Sequence, residues 1–245
     1  MIITGAASGI GRAAVDVFAA AGATVIAGDR DEAGAGAAAE AVGGQAVVGD
    51  VADPAFWDRA LAAAAAIAPL AATYLNAGVY GDGGPIADVD LTVAEQVLRT
   101  NVLGVLAGAK ASAPVLAANG GGAIVATASV GGLVPFDGNP IYSATKHAVV
   151  GFVGAEAPRL AATGVRLNAV CPSIVDTPMT ASAFGAALPE EARARLITPQ
   201  RIAETALDLA VEDVHGCCRA VRHDSSRANW PLPTWDTLGA LQPCD

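Results

Sequence analysis

The chain predicts a single α/β domain: a doubly wound parallel sheet with helices on both faces. Three observations carry that prediction. A glycine-rich turn stands between a short apolar strand and a helix at the start of the chain, apolar runs then alternate with alanine-rich helical stretches without an internal linker, and the second of these runs, 23–28, is continuously small and apolar. Strands covered on both faces read that way, whereas half-exposed strands alternate in polarity. A chain of 245 residues is long enough to bury one large core. With hydrophobic residues at 53% and aromatics at 4%, that core must be filled by Ala, Val, Leu and Ile. The expected domain covers residues 1–223, followed by a C-terminal arm, 224–245.

Taken in order, Ile2 and Ile3 read as the end of a short buried strand, residues 4–11 as the glycine-rich turn, and residues 12–21 as a helix closed by Gly22. Because only Met1 to Ile3 precede Thr4, the first strand is either minimal or continues upstream. In the turn Thr4-Gly5-Ala6-Ala7-Ser8-Gly9-Ile10-Gly11, Gly5 allows a tight bend, Gly9 lets backbone approach a pyrophosphate, and Gly11 lets the helix pack closely on the sheet. The helix N-terminus then faces the phosphate charge. Residues 23–28 form a second strand that ends at Asp29, where a carboxylate accepts hydrogen bonds from adenosine ribose hydroxyls and repels a 2′-phosphate. The neighbouring Arg30 could attract that phosphate, but it is expected to swing outward, so NAD is the expected cofactor.

A helix over 31–42, a strand over 45–49 and a helix over 53–67 follow, the last entered through the capping pair Asp53-Pro54. Asp50 and Val51 fall at the strand end. Residues 71–75 form the fourth strand and run into Asn76-Ala77-Gly78, where small residues permit close approach of a ligand. One or two helices span 92–118 and contain Asn101, and the fifth strand, 123–128, ends at Ser129. The last strand lies near 217–223. The arm beyond it carries Trp230, Pro231, Pro233, Trp235 and Pro243 and reads as irregular, either ordered or disordered, with tryptophans that favour docking on the body or on a neighbouring subunit.

Tyr142 and Lys146 stand four residues apart, a spacing that stacks them on one face of a helix, with Ser129 thirteen residues upstream. A phenol beside an ammonium is expected to titrate below its ordinary value of about 10 and so to exchange a proton with an alcohol near neutral pH. Tyr142 is the candidate general acid/base. Ser129 is placed to hold the same oxygen as charge develops on it.

Composition removes other classes. A net charge of −10 without any Lys/Arg run argues against a nucleic-acid partner or an anionic membrane surface. The longest apolar stretch, 60–75, is too short and is broken by Pro69, and the N-terminus has no signal-peptide pattern, so a cytoplasmic protein is expected. Cys171, Cys217, Cys218 and Cys244, with His147, His215 and His223, have no metal-ligand spacing, so no metal is expected.

Thr4-Gly5-x-x-x-Gly9-Ile10-Gly11, Asn76-Ala77-Gly78, Asn101, Ser129, Tyr142-x-x-x-Lys146 and Pro172 with Thr177 together resemble the short-chain dehydrogenase/reductase family over nearly the whole chain. The stretches 140–147 and 164–172 most resemble its NAD-dependent hydroxyprostaglandin dehydrogenase group. The resemblance implies a Rossmann-like fold and hydride transfer between a nicotinamide cofactor and a secondary alcohol or ketone. It places Ser8, Ile10, Arg30, Asp50, Val51, Pro172, Val175 and Thr177 at the cofactor, beside Gly5, Gly9, Gly11, Asp29, Asn76, Ala77, Gly78, Tyr142 and Lys146. Asp50 and the Val51 amide would meet the adenine, Lys146 would also grip the nicotinamide ribose, and Asn101 would shape its helix for a proton-relay water. Asn139 would touch substrate together with Ser129 and Tyr142. One departure is Ser173, where the family has glycine after Pro172, which reduces backbone freedom before Val175 and Thr177.

The substrate pocket is expected in loops 79–90, 130–139 and 178–198, lined by Leu133, Val134, Phe136, Ile174, Met179, Phe184 and Leu188, and suited to a small apolar secondary alcohol or ketone. Segments 102–118 and 148–160, rich in small apolar residues, would by the same resemblance pair across a two-fold axis, giving a homodimer or homotetramer. A noncatalytic NAD-binding sensor or scaffold would share the glycine turn and Asp29 but would not need Ser129, Tyr142 and Lys146 together. A nucleotide-sugar epimerase would need a longer C-terminal substrate domain.

Overall fold

The structure, a computed structural model, describes residues 1–185, 188 and 190–232. Its framework is an eight-stranded sheet of β1 (Ile2–Thr4), β2 (Ile26–Asp29), β3 (Gln45–Val48), β4 (Ala72–Leu75), β5 (Gly122–Thr127), β6 (Val165–Pro172), β7 (Cys218–Val221) and β8 (Arg227–Trp230), in the order β3-β2-β1-β4-β5-β6-β7-β8. Seven strands are parallel, and β8 pairs antiparallel with β7. The order reverses between β1 and β4. Loops that leave the C-terminal ends of those two strands diverge to opposite faces and open a crevice there, which is where ligands bind in such sheets.

Alternation along each strand feeds two cores. Ile2, Ile26, Ile124 and Leu167 point to one side, against Phe56, Trp57, Leu116 and Val153 of α3 (Pro54–Ala65), α5 (Gly104–Ala118) and α6 (Pro140–Ala161). Ile3, Ala27, Val125 and Val170 point to the other, against Val15 and Phe18 of α1 (Gly9–Ala20), Ala38 of α2 (Glu32–Glu40), and Ile202 and Leu209 of α9 (Pro199–Val211). The predicted double winding, with helices on both faces, is therefore realised. Small residues permit it: a Cβ on Gly108 of α5 would come within 2.5 Å of the Trp57 ring.

Boundaries differ from the sequence reading in instructive places. α1 begins at Gly9, inside the glycine turn, because Gly9 and Ile10 already take helical hydrogen bonding. The stretch 91–118 is α4 (Leu91–Leu98), a π-helical turn (Arg99–Leu103) and α5. By length and composition this run could cross a membrane; here α5 lies on the sheet, with Val105 and Leu116 in the core. The arm is not wholly irregular. Residues 227–230 form β8, held by β7 pairing and by an ion pair from Arg227 to Asp208, and Leu232 packs against α6 beside Gly154. Trp230 is partly exposed, while Trp235, Cys244 and the rest of 233–245 lie outside the described residues. Cys218, the first residue of β7, packs in one core, and Cys217, just before the strand, packs against the other.

Candidate active site

Thr4, the last residue of β1, organises the crevice. Its hydroxyl accepts from the amides of Asn76 and Ala77 at 3.0 and 3.2 Å, and Asn76 Nδ2 donates back to the Thr4 carbonyl at 3.1 Å. The loops after β1 and β4 are thereby fixed to each other. Gly5 (φ +67°) and Gly9 (φ +52°) hold backbone conformations that side chains disfavour. A Cβ on Gly11 would lie 1.9 Å from the Gly5 carbonyl oxygen, so only glycine allows α1 to start there. Ser8 caps α1 with extended backbone but spends no side-chain hydrogen bond on the helix, leaving its hydroxyl for a ligand.

At the β2 end the Asp29 carboxylate accepts from the Ala7 amide at 2.9 Å and the Asp31 amide at 3.0 Å, which ties it to the glycine turn. Arg30 is exposed. Asp50 is more engaged than expected: its oxygens accept from the Ala52 amide at 2.8 Å and from Arg99 Nε at 3.0 Å. These bonds hold its carboxyl below the usual range. It braces the cavity wall at the end of β3 through the turn it caps and through Arg99, the first residue of the π-helical turn.

That turn delivers Asn101. Buried within it, Asn101 accepts from the Val79 amide at 2.8 Å and donates to the Val79 carbonyl at 2.9 Å and to Thr145 Oγ1 at 3.1 Å. One side chain thus locks the loop after β4 to the helix that bears Tyr142 and Lys146. A Cβ on Gly78 would sit 3.3 Å from Asn101 Oδ1 and 3.6 Å from Lys146 Nζ; the bare glycine leaves that space open.

Ser129 caps a short 3₁₀ turn (Val130–Gly132), accepting from the Gly131 amide at 3.1 Å and donating to the Pro172 carbonyl at 3.4 Å, with its hydroxyl beside the Tyr142 phenol. Lys146, on α6, donates to the Thr127 carbonyl at 2.8 Å and stands 5.5 Å from the centre of the Tyr142 ring. Here the sequence expectation for Tyr142 is corrected. Although the ring is only half-buried by area, burial pushes the phenol up to about 12, with the nearby Ser129 hydroxyl acting the other way. Burial likewise pushes Lys146 down to about 8. In the protein alone desolvation outweighs the attraction between the two groups, because the ammonium is aimed at a carbonyl rather than at the phenol.

Asn139 is a second correction. It is fully buried, and its amide is spent within the protein: Oδ1 accepts from the Tyr142 amide at 3.0 Å, capping α6, and Nδ2 donates to the Tyr80 carbonyl at 2.9 Å. It positions Tyr142 and does not line the cleft. The loss of glycine at Ser173 carries no strain: among the described residues Ser225 is the non-glycine residue at positive φ, and Val175 and Thr177 still face the crevice.

One cavity of about 530 Å³ receives Ser129 and every expected cofactor residue except Gly11, which works from behind the turn. Of the expected substrate-lining residues, Phe136, Ile174, Met179 and Phe184 reach it. Leu133 and Leu188 are instead packing residues and Val134 faces solvent. Tyr80 and Thr180, within the expected pocket loops 79–90 and 178–198, line it as well, as does Thr127, which no motif marks. Among the described residues no cluster of His, Cys, Asp or Glu is arranged to hold a metal.

A helix N-terminus behind a glycine-bearing turn, a carboxylate at the next strand end, a serine and tyrosine aimed at one cleft, and a buried lysine beside them define a nicotinamide-dependent oxidoreductase. Residues 1–187 match the short chain dehydrogenase family, and the chain belongs to it. It is 37% identical over 187 residues, 74% of each chain, to 2,5-dichloro-2,5-cyclohexadiene-1,4-diol dehydrogenase LinX of Sphingobium indicum. It is 35% identical to cis-4-hydroxycyclohexanecarboxylate dehydrogenase of Sinomonas cyclohexanicum, covering 85% of this chain and 88% of that one. The structure of a 3-ketoacyl-(acyl-carrier-protein) reductase from Brucella melitensis complexed with NADH superposes with a TM-score of 0.82 at 29% identity, over 92% of this chain and 97% of that one. Another solved neighbour, from Beutenbergia cavernae, holds NADP (TM-score 0.80, 32% identity, 91% and 94% covered). These relatives support the family; the hydroxyprostaglandin group is not distinguished among them.

Proposed function

We propose that the chain is an NAD-dependent dehydrogenase or carbonyl reductase for a small apolar secondary alcohol or its ketone. The observation that carries the reading is the convergence of Ser129, Tyr142 and Lys146 on the cavity whose other end is the Gly5, Gly9 and Asp29 cradle. The residues fit a dinucleotide. The start of α1, with Ser8 uncommitted, would take the pyrophosphate, Asp29 the adenosine ribose, and Gly78 and Lys146 the nicotinamide side. When bound, the cofactor supplies the hydride acceptor or donor and, in its oxidised form, a positive charge that favours phenolate at Tyr142.

In oxidation, Tyr142 takes the hydroxyl proton as the carbinol hydride departs and the C=O bond forms; in reduction, protonated Tyr142 returns it. Ser129 holds the substrate oxygen as its charge changes. The hydroxyl end of Tyr142 is already protonated in the cofactor-free protein, so the resting site is set for reduction and needs cofactor charge to act as a base. The two named relatives act on ring alcohols, and the wall of Phe136, Ile174, Met179 and Phe184 offers no fixed charge, which supports a ring-shaped apolar substrate. NAD over NADP rests on Asp29. Leu98 and Leu103, about half exposed at 46% and 52%, are consistent with a helix-paired dimer.

The test is a panel of cyclic and open-chain secondary alcohols incubated with NAD or NADP, following reduced cofactor. Turnover with NAD and an apolar alcohol supports the proposal. Absence of turnover with every alcohol and with the matching ketones would overturn it.

A further inference from the structure

The loop after β4 carries a residue that no part of the proton-transfer machinery requires. The Tyr80 ring centre lies 5.1 Å from that of Tyr142, tilted 41°, and 5.6 Å from that of Phe184 on α7 (Pro178–Phe184), tilted 57°. Both neighbours line the cavity, as Tyr80 does. The backbone beneath it is pinned on two sides, through Val79 by Asn101 and through the Tyr80 carbonyl by Asn139. Its ring is therefore held in place before substrate arrives.

We propose that Tyr80 is a specificity-determining residue: its ring forms the wall of the substrate subsite between the proton-transferring Tyr142 and the Phe184 end of α7, and it selects compact alicyclic alcohols over open-chain ones. The proposal rests on the dehydrogenase reading above. A carbinol oxygen seated on Ser129 and Tyr142 puts the rest of the substrate against the adjacent aromatic wall, with Phe136, Ile174 and Met179 on the other walls. A saturated ring presents several C–H groups to an aromatic surface in one fixed arrangement. An open chain must freeze rotatable bonds to present as many, and loses that entropy. Rings packed at these distances touch one another and present one continuous aromatic wall to the cavity. The subsite shares its cavity with the dinucleotide cradle, which further limits substrate length.

The experiment compares kcat/KM for cyclohexanol and for an open-chain secondary hexanol, with saturating cofactor, in the wild type, Tyr80→Leu and Tyr80→Phe. Leucine keeps apolar bulk against Tyr142 and Phe184 but removes the aromatic face; phenylalanine keeps the face and removes the hydroxyl. The wild type should favour the cyclic alcohol. Tyr80→Leu should cut that preference about two- to tenfold, the span of a lost aromatic contact, chiefly through a higher KM for cyclohexanol. Tyr80→Phe should keep it within about twofold on the same scale. NADH titration should show unchanged cofactor affinity in both variants; if Tyr80→Leu does not fold, Tyr80→Met makes the same comparison. A wild type without cyclic preference, or a leucine variant that turns over both alcohols in the wild-type ratio, overturns the role of Tyr80 while leaving the dehydrogenase reading standing. Absence of any alcohol turnover by the wild type removes both.

Discussion

The Lys146 ammonium donates to the Thr127 carbonyl at 2.8 Å, at the end of the strand that leads to Ser129. This bond fixes the α6 register relative to β5, and so sets how Tyr142 meets Ser129. It also keeps the lysine in a dry site where its charge is costly, and that cost has a measurable pH dependence.

Lys146→Met should expose it. Burial lowers the folded-state pKa of Lys146 from 10.5 to about 8, so between those values the unfolded chain binds more protons than the folded one, and wild-type stability gains as pH rises. The penalty for the buried ammonium is fully present below about pH 8 and gone above 10.5. Its size is on the order of 3 kcal/mol at neutral pH. Denaturant unfolding of both proteins at pH 7 and pH 10 should therefore show the stability difference moving toward the wild type at the higher pH. A difference that stays constant would mean the lysine is not desolvated as described.

Tyr142→Phe should lower kcat about 10²–10⁴-fold, the usual contribution of a positioned proton donor, while NADH affinity stays near that of the wild type. Since the phenol is held up near 12 in the free protein, its protonated form prevails from neutral to moderately alkaline pH. Ketone reduction should accordingly change little over that range, whereas alcohol oxidation should rise with pH until the cofactor-bound phenol ionises. Parallel pH profiles for the two directions would contradict this assignment.

Much of this site is legible in the sequence because its parts are local. Glycines forced by a turn, a carboxylate at a strand end, and Tyr142 with Lys146 at helical spacing each declare themselves within a few residues. The contacts missed or misassigned are long-range. Asn139 looks like a substrate contact until the structure shows both ends of its amide spent on Tyr80 and Tyr142. Tyr80 becomes visible only when a strand-end loop and α7 come together. The Tyr142 pKa is not legible in the sequence for a related reason: spacing gives proximity to a charge, but desolvation depends on everything packed around the pair. β8 escaped notice because Arg227–Trp230 has a polar, exposed strand pattern, unlike the continuous apolar runs of the parallel strands.

Asn101→Ala should destabilise the fold by about 2–4 kcal/mol, since three hydrogen bonds are lost and both backbone groups of Val79 are left without their partner. Activity should fall as well, because the loop after β4 and the helix bearing Tyr142 and Lys146 lose their shared tether. Thermal unfolding and steady-state kinetics on the same preparation check both effects. Wild-type stability in the variant would show that the π-helical turn holds the loop without this side chain.

The last prediction concerns cofactor choice. Asp29 sits at the end of β2 with its carboxylate anchored by the Ala7 and Asp31 amides, so it cannot readily turn away from a ligand that follows the glycine turn. A 2′-phosphate arriving there meets a fixed negative charge, and like charges brought together cost enough to change affinity by more than about tenfold. Arg30 is exposed but lines the same cavity, so it offsets part of this repulsion from the rim, while the anchored carboxylate stands at the strand end itself. Asp29→Ala removes the repulsion and leaves Arg30 free to pair with the phosphate. It also removes the anchor for Ala7, so NAD affinity should fall while NADP affinity rises. Side-by-side titration of both cofactors should show the wild type preferring NAD and the variant losing or reversing that preference. A wild type that binds NADP more tightly would overturn the assignment of Asp29 as the selecting residue.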